Sequence, residues 1–432
     1  MKRLSAIFLA VLLCCLYAAA QRTGVWEEVR ADHRLASGLD NVYSFNVPAL
    51  SKRPRGYREF YVSHYGRHGS RYAYTAKTYN CLKNAMEAAS ADDNLTEYGK
   101  FLKEELAPFF RTVEYRVGDL SPLGWQQQKR IAQVMVKSFP RAFRRGAVVD
   151  ACVSPSMRSA MSMTSFCLSL GQLRPKMSIY EHQSTEDIQA TRPNLGGHNP
   201  FAYNSIFPPC PCTEPVADYL ERKLDLDAIL GRIFKDPQKI DFGATRIWIA
   251  DYLYMLVGGM HSLEGYVDIP DVSGIFTNEE YAAMWEVDNY LRYHEYYKYQ
   301  GTCCSIYDDI IAKADARIAS GKRGADLRFG HDHVMMALLM IADINGFGHP
   351  VDNADDLALW FQTFESKMGT NLQLVFYKPC RKGKPILVKL LFNGVEARFS
   401  GLEPVNGPYY DWEDLKEFLN SRTALFCDRP SR

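Results

Sequence analysis

The segment REFYVSHYGRHGSR, residues 58–71, is the stretch on which the fold turns. Its first half, Arg58 to His64, is short and rich in β-forming side chains, and glycines break it at Gly66 and Gly69. This pattern predicts a strand feeding a glycine loop. The same unit recurs twice further along. Val148 to Val153 (VVDACV) is a nearly continuous apolar run, which suits a strand buried on both faces of a parallel sheet. It leads through Ser154-Pro155-Ser156 into a helical pattern that ends near Leu170. Ala325 to Gly330 is the third strand, followed at once by His331 and a helix over Asp332 to Ala342.

Between these units lie helical patterns at Thr96 to Phe110 and Leu123 to Phe139, and a short strand at Ser178 to Glu181. Leu372 to Lys378 and Ile386 to Phe392 read as paired strands around the turn at Arg381, and Trp412 to Asn420 as a closing helix. From about residue 185 to 320 the texture changes. Loops rich in Pro, Asn and Gly precede helical segments at Glu214 to Phe234, Ala244 to Met260, Thr277 to Tyr299 and Ser305 to Ser320. Thr277 and Glu280 form a capping box, which satisfies two orphan backbone donors. The predicted class is α/β: a Rossmann-like three-layer core with a mixed, mostly parallel sheet, built from residues 21–184 and 321–432. A mostly helical cap, residues 185–320, is inserted into it. Ligands in such a core sit at the carboxyl ends of the strands.

The chain of 432 residues has 51 Lys and Arg against 50 Asp and Glu, a net charge of +1. No global field gathers nucleic acid or coats a membrane, so any anionic ligand must be held by a local cluster of cations. Residues 1–20 have the layout of a cleavable export signal: Lys2 and Arg3, an apolar run from Leu4 to Tyr17, then Ala18-Ala19-Ala20. The run is shorter than the ~20 residues that span a bilayer, and no later segment is long and apolar enough. The expected protein is therefore exported, periplasmic or extracellular. Neither Cys210-Pro211-Cys212 nor Cys303-Cys304 has a second pair at zinc-finger spacing, so they read as bridges or buried thiols.

The three strand-to-helix turns carry the chemistry. They deliver Arg67, His68 and Arg71; Arg158; and His331, Asp332 and His333. If the strands share one sheet edge, these side chains meet in one cleft. Guanidinium forks match the oxygens of a phosphoryl group, and helix N-termini add backbone donors. A neutral imidazole among them can attack phosphorus, and a nearby carboxylic acid can protonate the departing alkoxide. The arginines supply the positive charge at the transition state, so the reaction calls for no metal and no cofactor.

Arg67-His68-Gly69-Ser70-Arg71-Tyr72 resembles the Arg-His-Gly-x-Arg signature of the histidine acid phosphatase superfamily. Ser154-Pro155-Ser156-Met157-Arg158 resembles its second phosphate-binding turn, His331-Asp332 its proton-donor pair, and Leu120 to Gln126 an intervening segment. The order holds over roughly residues 55–345, and within the superfamily the chain looks most like phytases and multiple inositol polyphosphate phosphatases. The resemblance implies a phosphohistidine on His68, with Arg67, Arg71, Arg158 and His331 gripping the phosphoryl group and Asp332 as general acid. It implies a phosphorylated small molecule as ligand, inositol polyphosphates first, hydrolysed at acidic to neutral pH, with Lys77, His333 and Tyr72 as substrate contacts. Two departures stand out. Ala73 replaces a frequent Pro, and the triplet His331-Asp332-His333 stands where the inositol polyphosphate enzymes carry His-Ala-Glu, so either the second or the third position holds the acid.

Each residue also has a plainer reading. Lys77 fits a solvated lysine equally well, Arg53, Arg55 and Arg58 read as a solvated face, and His64 as a hydrogen-bonded core residue. Most tyrosines of the Thr277 to Tyr299 helix should pack, with one or two facing the cleft. Three rival functions remain: a broad acid or sugar phosphatase, a zinc hydrolase using His331, His333 and His64 or His68, and a non-catalytic binder of phosphorylated ligands.

Overall fold

The computed structural model describes residues 24–193, 204–205, 210–381 and 383–428. The expected export signal, residues 1–20, lies outside the described residues. The strands of the main sheet are β1 (Tyr57–Arg67), β2 (Val148–Val153), β3 (Ser178–His182), β4 (Gly324–Gly330), β5 (Asn371–Pro379), β6 (Leu387–Phe392), β7 (Val395–Glu396) and β8 (Tyr409–Asp411). Their order is β3-β2-β4-β1-β5-β6-β7, with β8 also on β6. The sheet is mixed. It is parallel from β3 to β1, the half formed by the three strand–turn–helix units, and antiparallel beyond.

The helices used below are α1 (Lys77–Ala91), α2 (Glu97–Val113), α3 (Pro122–Ser138), α4 (Met157–Leu173), α5 (Arg246–Gly259), α6 (Asn278–Tyr297), α7 (Gln300–Ser320), α8 (Asp332–Ile341) and α9 (Trp412–Thr423). Alternate residues of each strand feed different faces. Val62, Val149, Ala151, Leu327 and Phe329 pack with Ile131 and Met135 of α3 and Phe166 and Leu170 of α4. Tyr61, Leu374, Phe376 and Val388 pack on the other face with Ile310 of α7, Leu338 of α8 and Leu415 of α9. Two buried faces explain why the strands read as apolar runs rather than as alternating patterns.

Three placements differ from the sequence reading. Glu214 to Phe234 is two helices, Val216–Lys223 and Leu226–Ile233, because extended Leu224 ends the first and the Asp225 carboxylate caps the second at Ala228 N (2.9 Å). α1 and α2 lie before the predicted insertion, yet Leu82 and Leu102 share a core with Ile229 and Leu253, and Leu95 pairs with Phe234. α7, counted with the insertion, lies along the sheet: Arg317 bonds Asp326 of β4 (2.6 Å), and Tyr307 donates to Leu338 O of α8 (2.8 Å). Among the described residues no helix is long and apolar enough to cross a membrane.

Candidate active site

Strand register places the three turns side by side. Arg67 pairs with Gly330, and Val153 with Phe329. The next residues keep the ladder, with His68 N donating to Gly330 O (3.1 Å) and Ser154 N to Phe329 O (3.0 Å). The glycine loop then folds tightly onto α3. A Cβ at Gly69 would stand 2.4 Å from the Gly124 carbonyl oxygen, closer than any side chain tolerates. The N-terminal part of α3 grips the loop through Gln127, which accepts from Ser70 N (2.8 Å) and donates to Ser70 Oγ (3.0 Å). Gln128 donates to Arg67 O (3.0 Å).

His68 is buried, and its Nδ1 lies 2.9 Å from Gly69 O. A carbonyl only accepts, so Nδ1 carries the proton and Nε2 keeps its lone pair. Burial, then the charges of Arg158 and Arg67, hold its pKa well below the usual imidazole range, so the ring is neutral. Arg67 is fully buried, and its Nη1 donates to Leu39 O (2.6 Å) and Ser366 O (2.5 Å). Its Nε and Nη2 make no hydrogen bond, and neither does Nε of Arg158 or of Arg192. Buried donors without acceptors are costly. Arg158 and Arg192 line one cleft of about 280 Å³ together with His68 and Arg71, and Arg67 is tied to it through Asp332. Arg158 is the second residue of α4, and burial beside Arg71 brings its pKa down to about 10. Arg71 lies 3.4 Å from Asp40 Oδ1.

His331 caps α8 and shares a hydrogen bond with Ser154 Oγ through Nε2 (3.1 Å). Its ring centre is 5.5 Å from that of His68. Burial, then neighbouring His333, keep it neutral. Asp332 accepts from Tyr296 OH of α6 (3.1 Å) and lies 3.8 Å from Arg67 Nη2. Burial works to raise the Asp332 pKa. Arg67 and then His333, whose Nδ1 is 3.6 Å away, outweigh it and hold the carboxyl well below the usual range. Desolvation alone would favour the protonated acid; the Arg67 guanidinium and the contact with the His333 ring favour the carboxylate.

The structure thus brings together Arg67, His68, Arg71, Arg158, His331, Asp332 and His333. It does not bring Tyr72 or Lys77 to the cleft. Tyr72 is buried, with Arg116 4.6 Å above its ring, and Lys77 is exposed at the start of α1. Arg53, Arg55 and Arg58 are exposed. His64 is a core residue between Phe166 and Phe329, but neither nitrogen has a hydrogen-bond partner; burial, then Arg328, takes its pKa to about 3. Among the described residues no group of three or more His, Cys, Asp or Glu is arranged as metal ligands. Of the tyrosines in the Thr277 to Tyr299 segment, Tyr296 of α6 and Tyr299 just beyond it line the cleft. Sequence reasoning did not find Arg192, Asp40, Asp288, Arg292 or Glu295, which also line it.

No family model matches the chain, and neither does any curated protein. Solved structures do match. The multiple inositol polyphosphate phosphatase of Bifidobacterium longum in complex with phosphate superposes with a TM-score of 0.69 at 16% identity, covering 90% of this chain and 98% of that one. Its complex with inositol hexasulfate gives 0.66 at 16%, over the same shares. The phytase from D. castellii gives 0.63 at 16%, over 90% and 85%. The fold is that of the histidine acid phosphatases. At these identities the likeness carries the architecture alone.

Proposed function

We propose that the protein hydrolyses phosphomonoesters through a phosphohistidine on His68. The observation that carries this is the Nδ1–Gly69 O contact, which leaves Nε2 with its lone pair in the field of the Arg158, Arg67 and Arg71 guanidiniums. Nε2 attacks phosphorus, the P–O ester bond breaks, and the leaving oxygen takes a proton from Asp332. Water then attacks the phosphohistidine, the N–P bond breaks, and Asp332 takes the proton back. Arg67 and His333 hold the Asp332 pKa well below the usual range, so it gains its proton when substrate binds: a phosphoryl dianion neutralises Arg67 and adds like charge nearby, and both raise its pKa. His68→Ala protein should fold as wild type and lose turnover of 4-nitrophenyl phosphate. Retained turnover in that variant contradicts the proposal.

The B. longum neighbour that holds inositol hexasulfate supports inositol polyphosphates as substrate class. A second reading, a sugar phosphatase or broad phosphatase, is favoured by the cleft lining, which includes no lysine among the described residues. In either case residues 21–184 and 321–432 supply the nucleophile and the acid, Arg192 joins the phosphoryl site from the insertion, and the helices of the insertion before α7 read the leaving group. We also propose export through residues 1–20.

A further inference from the structure

The cleft carries two opposed charge fields. Around the nucleophile stand four guanidiniums, Arg67, Arg71, Arg158 and Arg192, and two carboxylates, Asp40 and Asp332. The excess of two positive charges matches one phosphoryl dianion. The wall where α6 packs on α5 is the reverse, with Asp288, Arg292 and Glu295 of α6 on the cleft and Asp251 of α5 behind them. Arg292 is its one guanidinium, and three carboxylates consume it: Asp288 Oδ1 at 2.8 Å from Nε, Asp251 Oδ1 at 3.1 Å from Nη2, and Glu295 Oε2 at 3.2 Å from Nη1. Burial pushes Asp288 up to about 7 and Asp251 in the same direction, so the three carboxylates around this one guanidinium hold part of their charge as shared protons. Among the described residues of this wall, a second phosphate on the substrate would find no unpaired guanidinium or lysine and would face carboxyl groups.

We propose that the leaving-group side of this cleft selects a singly phosphorylated alcohol bearing a protonated amine, an amino-sugar phosphate being the simplest case, and rejects polyphosphorylated ligands. The proposal rests on the phosphohistidine reading, and of the two substrate readings above it takes the second, a sugar phosphatase, against inositol polyphosphates. Glu295 is the most accessible of the three carboxylates, with 38% of its side chain exposed, and is the group placed to meet an ammonium.

The test compares kcat/KM for glucosamine 6-phosphate, glucose 6-phosphate and myo-inositol hexakisphosphate at about pH 6.5, below an ordinary amine pKa. His68-dependent hydrolysis of 4-nitrophenyl phosphate serves as the separate check on the underlying chemistry. The amine should be preferred over the neutral sugar by about tenfold, within reach of one partly buried ion pair, and the hexakisphosphate should rank last. Glu295→Gln should draw the amine-to-sugar ratio towards unity. Calorimetric titration of the same three ligands into His68→Ala protein keeps the selectivity readable if nothing turns over. A preferred hexakisphosphate, or an amine-to-sugar ratio that is one in wild type or unmoved by Glu295→Gln, overturns the proposal even where aryl phosphate hydrolysis through His68 stands.

Discussion

At the residue scale the cleft separates binding from proton transfer. Arg158 offers a buried Nε with no partner of its own, so its bond to a phosphoryl oxygen should strengthen as charge develops in the transition state. Arg158→Ala should lower kcat by two to three orders of magnitude, ~3–4 kcal/mol, and not merely raise KM. Asp332 and His333 are told apart by the leaving group. Asp332→Asn should cost ~100–10,000-fold on an alkyl phosphate and far less on a nitrophenyl ester, whereas His333→Ala should show no such dependence. The pH profile follows from the same carboxyl. Its pKa in the free site lies well below the usual carboxylate range and rises when the phosphoryl group binds. The protonated form is the donor, so activity is lost as pH rises through that pKa. The alkaline limb of kcat should therefore lie at higher pH than that of kcat/KM, and Asp332→Asn should abolish it. Coincident limbs contradict the assignment. The nucleophile and three of the arginines were legible because they fall in short turns with unusual composition. Arg192, Asp40 and Arg292 were not, because each is a single residue in an unremarkable segment and only long-range packing brings it to the cleft.

At the element scale, strand β2 was read to the residue and β4 to within one, because burial on both faces writes itself as an apolar run. The break at Asp225 was missed because a carboxylate cap inside a helical pattern looks like an exposed polar position. The supports of the loop were also invisible. Gln127 and Gln128 follow the recognisable Leu120 to Gln126 segment, and only the packing of α3 on Ser70 reveals their part. Gln127→Leu leaves the Ser70 N–H without its acceptor, a loss of about 1–3 kcal/mol. Spent on loop position, it should lower kcat about tenfold or more with a smaller change in KM. Gln127→Glu, which keeps the acceptor, should recover part of the rate. Equal losses in the two variants would make Gln127 a stability residue only.

At the scale of the whole molecule, the net charge of +1 gives no long-range field, and the balance is local: cations at the phosphoryl end, carboxylates on the α6 wall. Steering should be weak, so kcat/KM for a monophosphate should change less than about threefold between ~0.01 and ~0.1 M ionic strength, over which the Debye length shrinks from about 30 to 10 Å. A steep decline would mean that several phosphates bind. The division of labour between a sheet that holds the reacting group and helices that meet the rest follows from topology, since the carboxyl ends of β1, β2 and β4 all deliver reactive turns while α5 and α6 supply the facing residues. All of this depends on His68 Nε2 becoming bonded to phosphorus. The direct measurement is a rapid acid-free quench of the complete protein turning over a phosphorus-labelled aryl phosphate, followed by peptide mapping. Label that is acid-labile, confined to the peptide containing His68 and absent from His68→Ala is the predicted result; turnover with no labelled enzyme, or with label on another residue, would contradict it.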